Sequence, residues 1–333
     1  MITLENEAAK LQVESNIFAG HALNVYKHLN KERFEDFETI DLFEPVLWLI
    51  FACHKQYPSV RYSHHIKPAF SEEAHYSADG KKILVCCSGG LDSVYQALRL
   101  RDAGCDVTLM HLNGANFYSN GQEHKAFREF ANKFGFKTYE PKISPKHSGE
   151  YRKFWAENSF KDFLIYCVAI DYMLGHSIKY LSSGDDLRLS VKDQVTGVNT
   201  GDARELTVAF MESFGVNFIP VDATVDKAKR LAFLEEKGAS DYYLSCVGPG
   251  RLIQSQRKRY EAKFGVKLDK WCCCSCRKCC MHLLLDHYYN NKKLPQELVD
   301  RCWDKLGDPR SADHVFFNKS IPLEQRIKNL ATY

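Results

Sequence analysis

Residues 81–104, KKILVCCSGGLDSVYQALRLRDAG, constrain the fold more than any other stretch of this chain. The apolar run at 83–87 reads as a short buried strand bounded by polar residues. The chain then turns through Ser88, Gly89 and Gly90, after which Leu91, Val94, Tyr95 and Leu98 recur at helical spacing and Gly104 supplies a stop. Strand, glycine turn and helix in that order leave the first-turn amides of the helix without partners and put partial positive charge on them. Two glycines let backbone approach a phosphate without a Cβ in the way. Ser88 and Ser93 add hydroxyls, and Asp92 would repel a phosphate unless a cation lay between them, which points to magnesium. The bland reading, an ordinary strand-to-helix turn, does not account for the whole string Ser-Gly-Gly-Leu-Asp-Ser.

From here the pattern alternates. Strands are expected at 107–112, 177–182 and 216–219, and helices at 122–134, 160–174, 205–214 and 224–237. Such alternation predicts an α/β fold with a parallel sheet covered on both faces, whose ligands bind at the carboxyl ends of the strands. The loop at Ser88 lies at one such end, and so do residues 111–113, which bring in His111, and 182–186. Residues 1–79 form a mainly helical extension, with helices expected at 5–18 and 45–53 and a His64-His65 pair that reads as a solvated loop. Residues 80–240 form the α/β domain and 241–333 a helical C-terminal region. The stretch 251–270 is basic, but Glu261 and Asp269 interrupt it, so a solvated helix face fits better than a nucleic-acid stripe.

Composition bounds the rest. A net charge of +3 over 333 residues is too small to argue for nucleic acid by itself. The start, MITLENEAAKLQVESN, lacks the basic and apolar pattern of a signal peptide, and the apolar run at 46–53 is too short to span a bilayer, so a cytoplasmic protein is expected. Thirteen cysteines are many, and six of them fall within residues 272–280. In a cytoplasmic setting that clustering reads as metal binding or redox chemistry rather than disulfides. Cys273, Cys276 and Cys279 form Cys-x2-Cys-x2-Cys, three ligands of a tetrahedral site that needs a fourth. Cys246, beside the turn VGPG, is the first candidate, with Cys272, Cys274 and Cys280 as alternatives; zinc and an iron–sulfur cluster both suit such thiolates.

SGGLDS resembles the pyrophosphate loop, SGGxDS, of the ATP pyrophosphatases, which cut ATP between its α and β phosphates. It is unlike the Gly-x4-Gly-Lys-Ser/Thr loop of kinases and GTPases. Within that superfamily the chain is similar to the 7-cyano-7-deazaguanine synthases. Ser245-Cys246 followed by CCSCRKC at 273–279 resembles the family's zinc-holding cysteines. Gly121-Gln122-Glu123-His124 and Asp226-Lys227-Ala228 resemble two further segments, and the likeness spans roughly residues 81–285. The departures are the N-terminal extension, the long gap between Cys246 and Cys273, and a region WAENSFKDF where the family has Pro-Gly-Arg-Asn, with Asn158 the one remnant. Ser182-Ser183-Gly184-Asp185-Asp186 also replaces the family's Gly-x-Asn-x-x-Asp.

The resemblance implies an adenine nucleotide alpha hydrolase-like, Rossmann-like core and ATP, magnesium and zinc as cofactors. It implies that Ser88, Gly89, Gly90, Leu91, Asp92, Ser93 and His111 bind nucleotide, and that Ser88, Asp92, Ser93 and Lys227 serve catalysis. Asp185 and Asp186 read equally as magnesium or amine ligands and as helix caps. The implied reaction is adenylation of a carboxylate, 7-carboxy-7-deazaguanine in that family, followed by displacement of AMP by ammonia or another amine to give an amide or nitrile. A protein or nucleic-acid acceptor and a homodimer are compatible with it. Two other readings stay open: a tRNA-modifying adenylating sulfur transferase with a Cys-ligated iron–sulfur cluster, and a non-catalytic ATP-binding subunit.

Overall fold

In a computed structural model, the structure describes residues 80–112, 121–141, 158–184, 211, 215–222, 224–244, 246, 250–310 and 314–332. The expected helices at 5–18, 45–53 and 205–214, the His64-His65 pair, Asn113 and the Asp185-Asp186 pair lie outside them, Met211 excepted.

Among the described residues five parallel strands form one sheet: β1 Lys82–Cys86, β2 Asp106–Met110, β3 Lys137–Tyr139, β4 Tyr180–Ser183 and β5 Asn217–Ile219, in the order β3-β2-β1-β4-β5. Between and after them run α1 Leu91–Asp102, α2 Gln122–Phe134, α3 Asn158–Gly175 and α4 Lys227–Glu236. This is the parallel, Rossmann-like α/β core expected from the alternation. Strand order reverses direction between β1 and β4, and a crevice for ligand opens at the carboxyl ends where it does so. Strand β3, KTY, carries no apolar pattern because it is an edge strand of three residues with exposed and half-buried side chains, and periodicity misses it. The second strand stops at Met110, so His111 and Leu112 belong to the loop at its end.

The C-terminal region is helical: α5 Gly250–Phe264, α6 Arg277–Tyr289, α7 Gln296–Leu306, α8 His314–Phe317 and α9 Leu323–Thr332. Helix α6 begins four residues earlier than the apolar run at 281–289 suggests, because Cys276 caps it through a bond from Cys279 N–H to its sulfur. Buried residues of β1 and α1, among them Val85 and Leu98, share one continuous core with Trp271, Leu284 and Leu298. Burial of this apolar surface, at about 25 cal/mol per Å2, is what joins the C-terminal helices to the sheet layer. Among the described residues no helix is long and apolar enough to cross a membrane.

Two polar stitches hold the crevice in register. Gln96 on α1 donates to Ser182 Oγ at 3.0 Å and to the Pro220 carbonyl at 3.3 Å. Ser182 Oγ in turn donates to the Ile219 carbonyl at 2.6 Å, tying α1, β4 and β5 together beneath the loop.

Candidate ATP site and thiolate centre

The turn after β1 is shaped by glycine where the sequence places it. Gly89 has φ +76°, and a Cβ there would sit 3.3 Å from Phe127 N and 3.4 Å from the Glu123 carbonyl, so α2 closes directly on the loop. Cys87 N–H bonds the Met110 carbonyl at 2.8 Å, and Leu244 N–H bonds the Gly89 carbonyl at 2.6 Å. The loop is thus pinned to β2 on one side and to the C-terminal region on the other. Gly90 is the N-cap of α1; among the described residues no side chain caps the helix, and Gly90 N–H itself bonds Ser88 Oγ at 3.3 Å. Ser93 Oγ donates to the Gly90 carbonyl at 3.1 Å and lies 3.4 Å from Ser88 Oγ, so both hydroxyls gather at the helix start. An uncapped helix N-terminus with two hydroxyls beside it suits an anion.

The end of β4 packs onto that same turn: a Cβ on Gly184 would lie 2.8 Å from Ser93 N and 3.1 Å from Asp92 Cβ. Asp92, one-third exposed, accepts from the buried Arg230 guanidinium on α4 at 2.7 Å. Arg230 spends its other donors on the Val225 carbonyl at 2.9 Å and the Asp222 carbonyl at 3.3 Å. One carboxylate oxygen of Asp92 is therefore engaged by Arg230.

A cavity of about 420 Å3 opens at this point, and Ser88, Gly90, Leu91, Asp92 and Ser93 all line it. His111 lines it too. Its Nδ1 lies 3.0 Å from the Cys87 carbonyl, which only accepts, so Nδ1 carries the proton. Its ring stacks on Phe127 at 4.9 Å and on His124 at 5.5 Å. His124 Nε2 lies 2.6 Å from Glu140, which Arg128 also holds at 2.7 Å. Burial works to raise the Glu140 carboxyl, but these two hydrogen-bonded neighbours outweigh it and hold it below its ordinary range.

Three further polar side chains reach the cavity from the C-terminal side: Lys227 at the start of α4, and Lys278 and His282 on α6. Asp226 caps α4 by accepting from Lys229 N–H at 2.8 Å, which sets where Lys227 emerges. His282 is 8% exposed, and its Nδ1 has no hydrogen-bond partner among the described residues. Burial above all, then the Lys227 cation and, to a smaller degree, Lys278 push this imidazole down to about 3, while Asp92 pulls the other way, so it is neutral at pH 7.

The sulfurs of Cys246, Cys273, Cys276 and Cys279 lie within 4.8 Å of one another. Cys273 Sγ and Cys279 Sγ are 3.8 Å apart. A tetrahedral ion with bonds of about 2.3 Å sets its sulfurs about 3.8 Å apart. Backbone N–H groups aim at the same sulfurs: Cys276 N and Ser275 N at Cys273 Sγ (3.3 and 3.5 Å), and Cys273 N at Cys279 Sγ (3.3 Å). Cys274 takes the left-handed conformation, φ +54°, that this tight turn demands. Hydrogen bonds from Cys246 and then Cys276 drive the Cys273 thiol far below its ordinary value and the Cys276 thiol is lowered with it, whereas Cys246 and Cys279 are held above theirs, so a bound ion is what would bring all four to thiolate. The donor set and its spacing fit one four-coordinate soft ion. Cys272 and Cys274 pair with each other at 3.6 Å, outside the tetrad.

The structure thus brings Ser88, Gly90, Leu91, Asp92, Ser93, His111 and Lys227 to one cavity, while Gly89 faces α2 and does not line it, and the four cysteines meet at one point. Sequence reasoning missed Arg230, Lys278 and His282. Arg230 meets Asp92 across 138 residues, with no local signal. Lys278 and His282 stand four apart on α6 and so share a face, which was readable once the helix start at Cys276 was known. The basic stretch after residue 250 is partly consumed within the fold: Lys270 pairs with Glu129 at 2.7 Å, Lys263 with Glu297, and Arg257 with Glu261 at 3.8 Å.

No family model matches this sequence, and no curated protein does. Solved structures do resemble it in part. One is the U34-tRNA thiolase NcsA from Methanococcus maripaludis with its [4Fe-4S] cluster, at 14% identity over 56% of this chain and 68% of that one, TM-score 0.38. A second is NMN synthetase from Francisella tularensis, at 15% identity over 67% and 82%, TM-score 0.36. A third is a predicted subunit of tRNA methyltransferase from Methanocaldococcus jannaschii, at 17% identity over 47% and 88%, TM-score 0.29. Likenesses this partial carry no argument about activity; the reading below rests on the residues and geometry of this chain.

Proposed function

We propose that this chain is a pyrophosphate-loop enzyme that activates a carboxylic acid with ATP and passes the acyl group to ammonia or another amine, as in 7-cyano-7-deazaguanine synthesis. The observation that carries this reading is the SGGLDS turn, an uncapped helix N-terminus with two hydroxyls, facing a cavity at the sheet's switch point. The amide of Leu91 with the Ser88 and Ser93 hydroxyls holds the departing pyrophosphate, Gly90 N–H exchanges its 3.3 Å bond to Ser88 Oγ for a phosphate oxygen, and Lys227 offsets the charge. A carboxylate oxygen of the acid attacks the α-phosphorus; the bond to the β-bridging oxygen breaks, and pyrophosphate leaves with that electron pair. The amine then attacks the acyl carbon and AMP departs, giving an amide; a second adenylation, on the amide oxygen, and loss of AMP give a nitrile. Positioning and charge stabilisation supply most of the rate.

Magnesium fits beside Asp92 through the carboxylate oxygen that Arg230 does not occupy or through water, and would shield the phosphate charge. Zinc fits the thiolate tetrad better than an iron–sulfur cube, which spreads its cysteines over separate irons and needs them farther apart. Its part there is structural: it holds the turn from which α6 springs.

The test is AMP and pyrophosphate release from MgATP with 7-carboxy-7-deazaguanine and ammonium, each omitted in turn. Release that requires the acid, with an amide- or nitrile-mass product, supports the reading. Release that requires tRNA, in a brown iron-containing protein, replaces it with sulfur transfer. ATP binding with no AMP under any condition leaves a non-catalytic subunit.

A further inference from the structure

We propose that Lys278 and His282 on α6 form the subsite for the acyl end of the substrate, a carboxylate before activation and the acyl carbonyl of its adenylate afterwards. This rests on the adenylation reading and adds to it where the acid binds.

Four observations converge. Lys278 and His282 line the cavity that Ser88, Asp92 and Ser93 line, so a group held there is in reach of a nucleotide on the loop. They stand at i and i+4 on a helix whose start is fixed by Cys276, so their spacing is set rather than adaptable. His282 Nδ1 is buried without a partner among the described residues. Leaving a buried polar atom so is unfavourable, and a ligand's oxygen removes the penalty. Two cations, Lys227 and Lys278, bear on the ring against one carboxylate, Asp92, with Glu123 also lining the cavity, so the α6 end of the cavity favours an anion or carbonyl oxygen over a cation. Toward such an oxygen the ring donates from Nδ1. Leu112, Ile165 and Met281 line the same space and offer apolar surface to the body of the acid.

The experiment is calorimetric titration of the full-length, metal-loaded protein with MgATP, AMP and 5′-O-(N-benzoylsulfamoyl)adenosine, a stable mimic of an acyl-adenylate that does not presuppose which acid is native. Wild type is expected to bind the mimic more tightly than AMP. His282→Ala and Lys278→Met are each expected to weaken the mimic about tenfold more than MgATP, the size of one hydrogen bond to a charged or strongly polar group. His282→Asn, which keeps an N–H near the Nδ1 position, recovers most of the loss. Equal weakening of both ligands, or a wild type that prefers AMP to the mimic, overturns the subsite. A wild type that binds no MgATP overturns the adenylation reading itself, and the two failures are told apart by that titration. Metal content and circular dichroism of each variant show whether it is folded.

Discussion

The turn at 87–90 and the turn at 272–276 both deliver the chain into a helix, but one is made of backbone and the other of side chains. At the first, the functional groups are amides, and the surrounding elements hold them: Cys87 N–H is bonded to β2, the Gly89 carbonyl to Leu244, Gly89 lies against α2, and Gly184 lies behind Ser93. At the second, the functional groups are four sulfurs brought together from residues 246 and 273–279, and their mutual charge has to be neutralised. The first site is therefore preorganised without its ligand, whereas the second needs its ion to exist. Because α6 leaves the thiolate turn and carries Lys278 and His282 into the cavity, the ion is also expected to govern the first site's far side.

The largest effect that can break this comparison is metal removal. Structural zinc contributes about 10–16 kcal/mol to small folded sites, so chelation under reducing conditions is expected to lower Tm by 10 °C or more and AMP formation at least about a hundredfold. Tm by calorimetry and metal by mass spectrometry check this; a metal-free protein of unchanged Tm and rate would show that packing alone holds the cysteine turn. Next comes Gly184→Ala. Its Cβ would press on the backbone N of Ser93 at 2.8 Å, where no flexible side chain can give way, and displace the helix start. A shift of even about 1 Å at a reacting site costs on the order of a hundredfold in rate. Steady-state AMP release should fall by that order while the metal content stays at one ion, separating the two sites. Arg230→Met is the mildest. It strands Asp92 and the Val225 and Asp222 carbonyls, and with Asp92 one-third exposed the loss is about 2 kcal/mol. A Tm lower by several degrees, with a weaker response of the rate to magnesium, is the expected outcome; an unchanged Tm would mean that water replaces the guanidinium.

The same contrast explains what the sequence made legible. A phosphate turn announces itself because glycine, serine and aspartate must follow one another along the chain, so SGGLDS located the loop, its strand and its helix together. The cysteine site announced its chemistry and, through Cys-x2-Cys-x2-Cys with Cys246 as first candidate for the fourth ligand, its tetrad; six cysteines in nine positions left alternatives that the fold removes by bringing Cys246, Cys273, Cys276 and Cys279 together. Arg230 carried no signal, since a buried guanidinium is a property of packing between distant segments, and Lys278 and His282 became readable as a pair only with the start of α6 at Cys276. Edge strand β3 was silent because it buries almost nothing.

The central claim is that the loop directs cleavage between the α and β phosphates of ATP. Phosphorus NMR of ATP turned over with magnesium, acid and ammonium reads that bond directly. AMP and pyrophosphate in equal amounts, lost together in Asp92→Ala and Ser88→Ala, are the predicted products; ADP and inorganic phosphate, or turnover undiminished in both variants, would contradict the account.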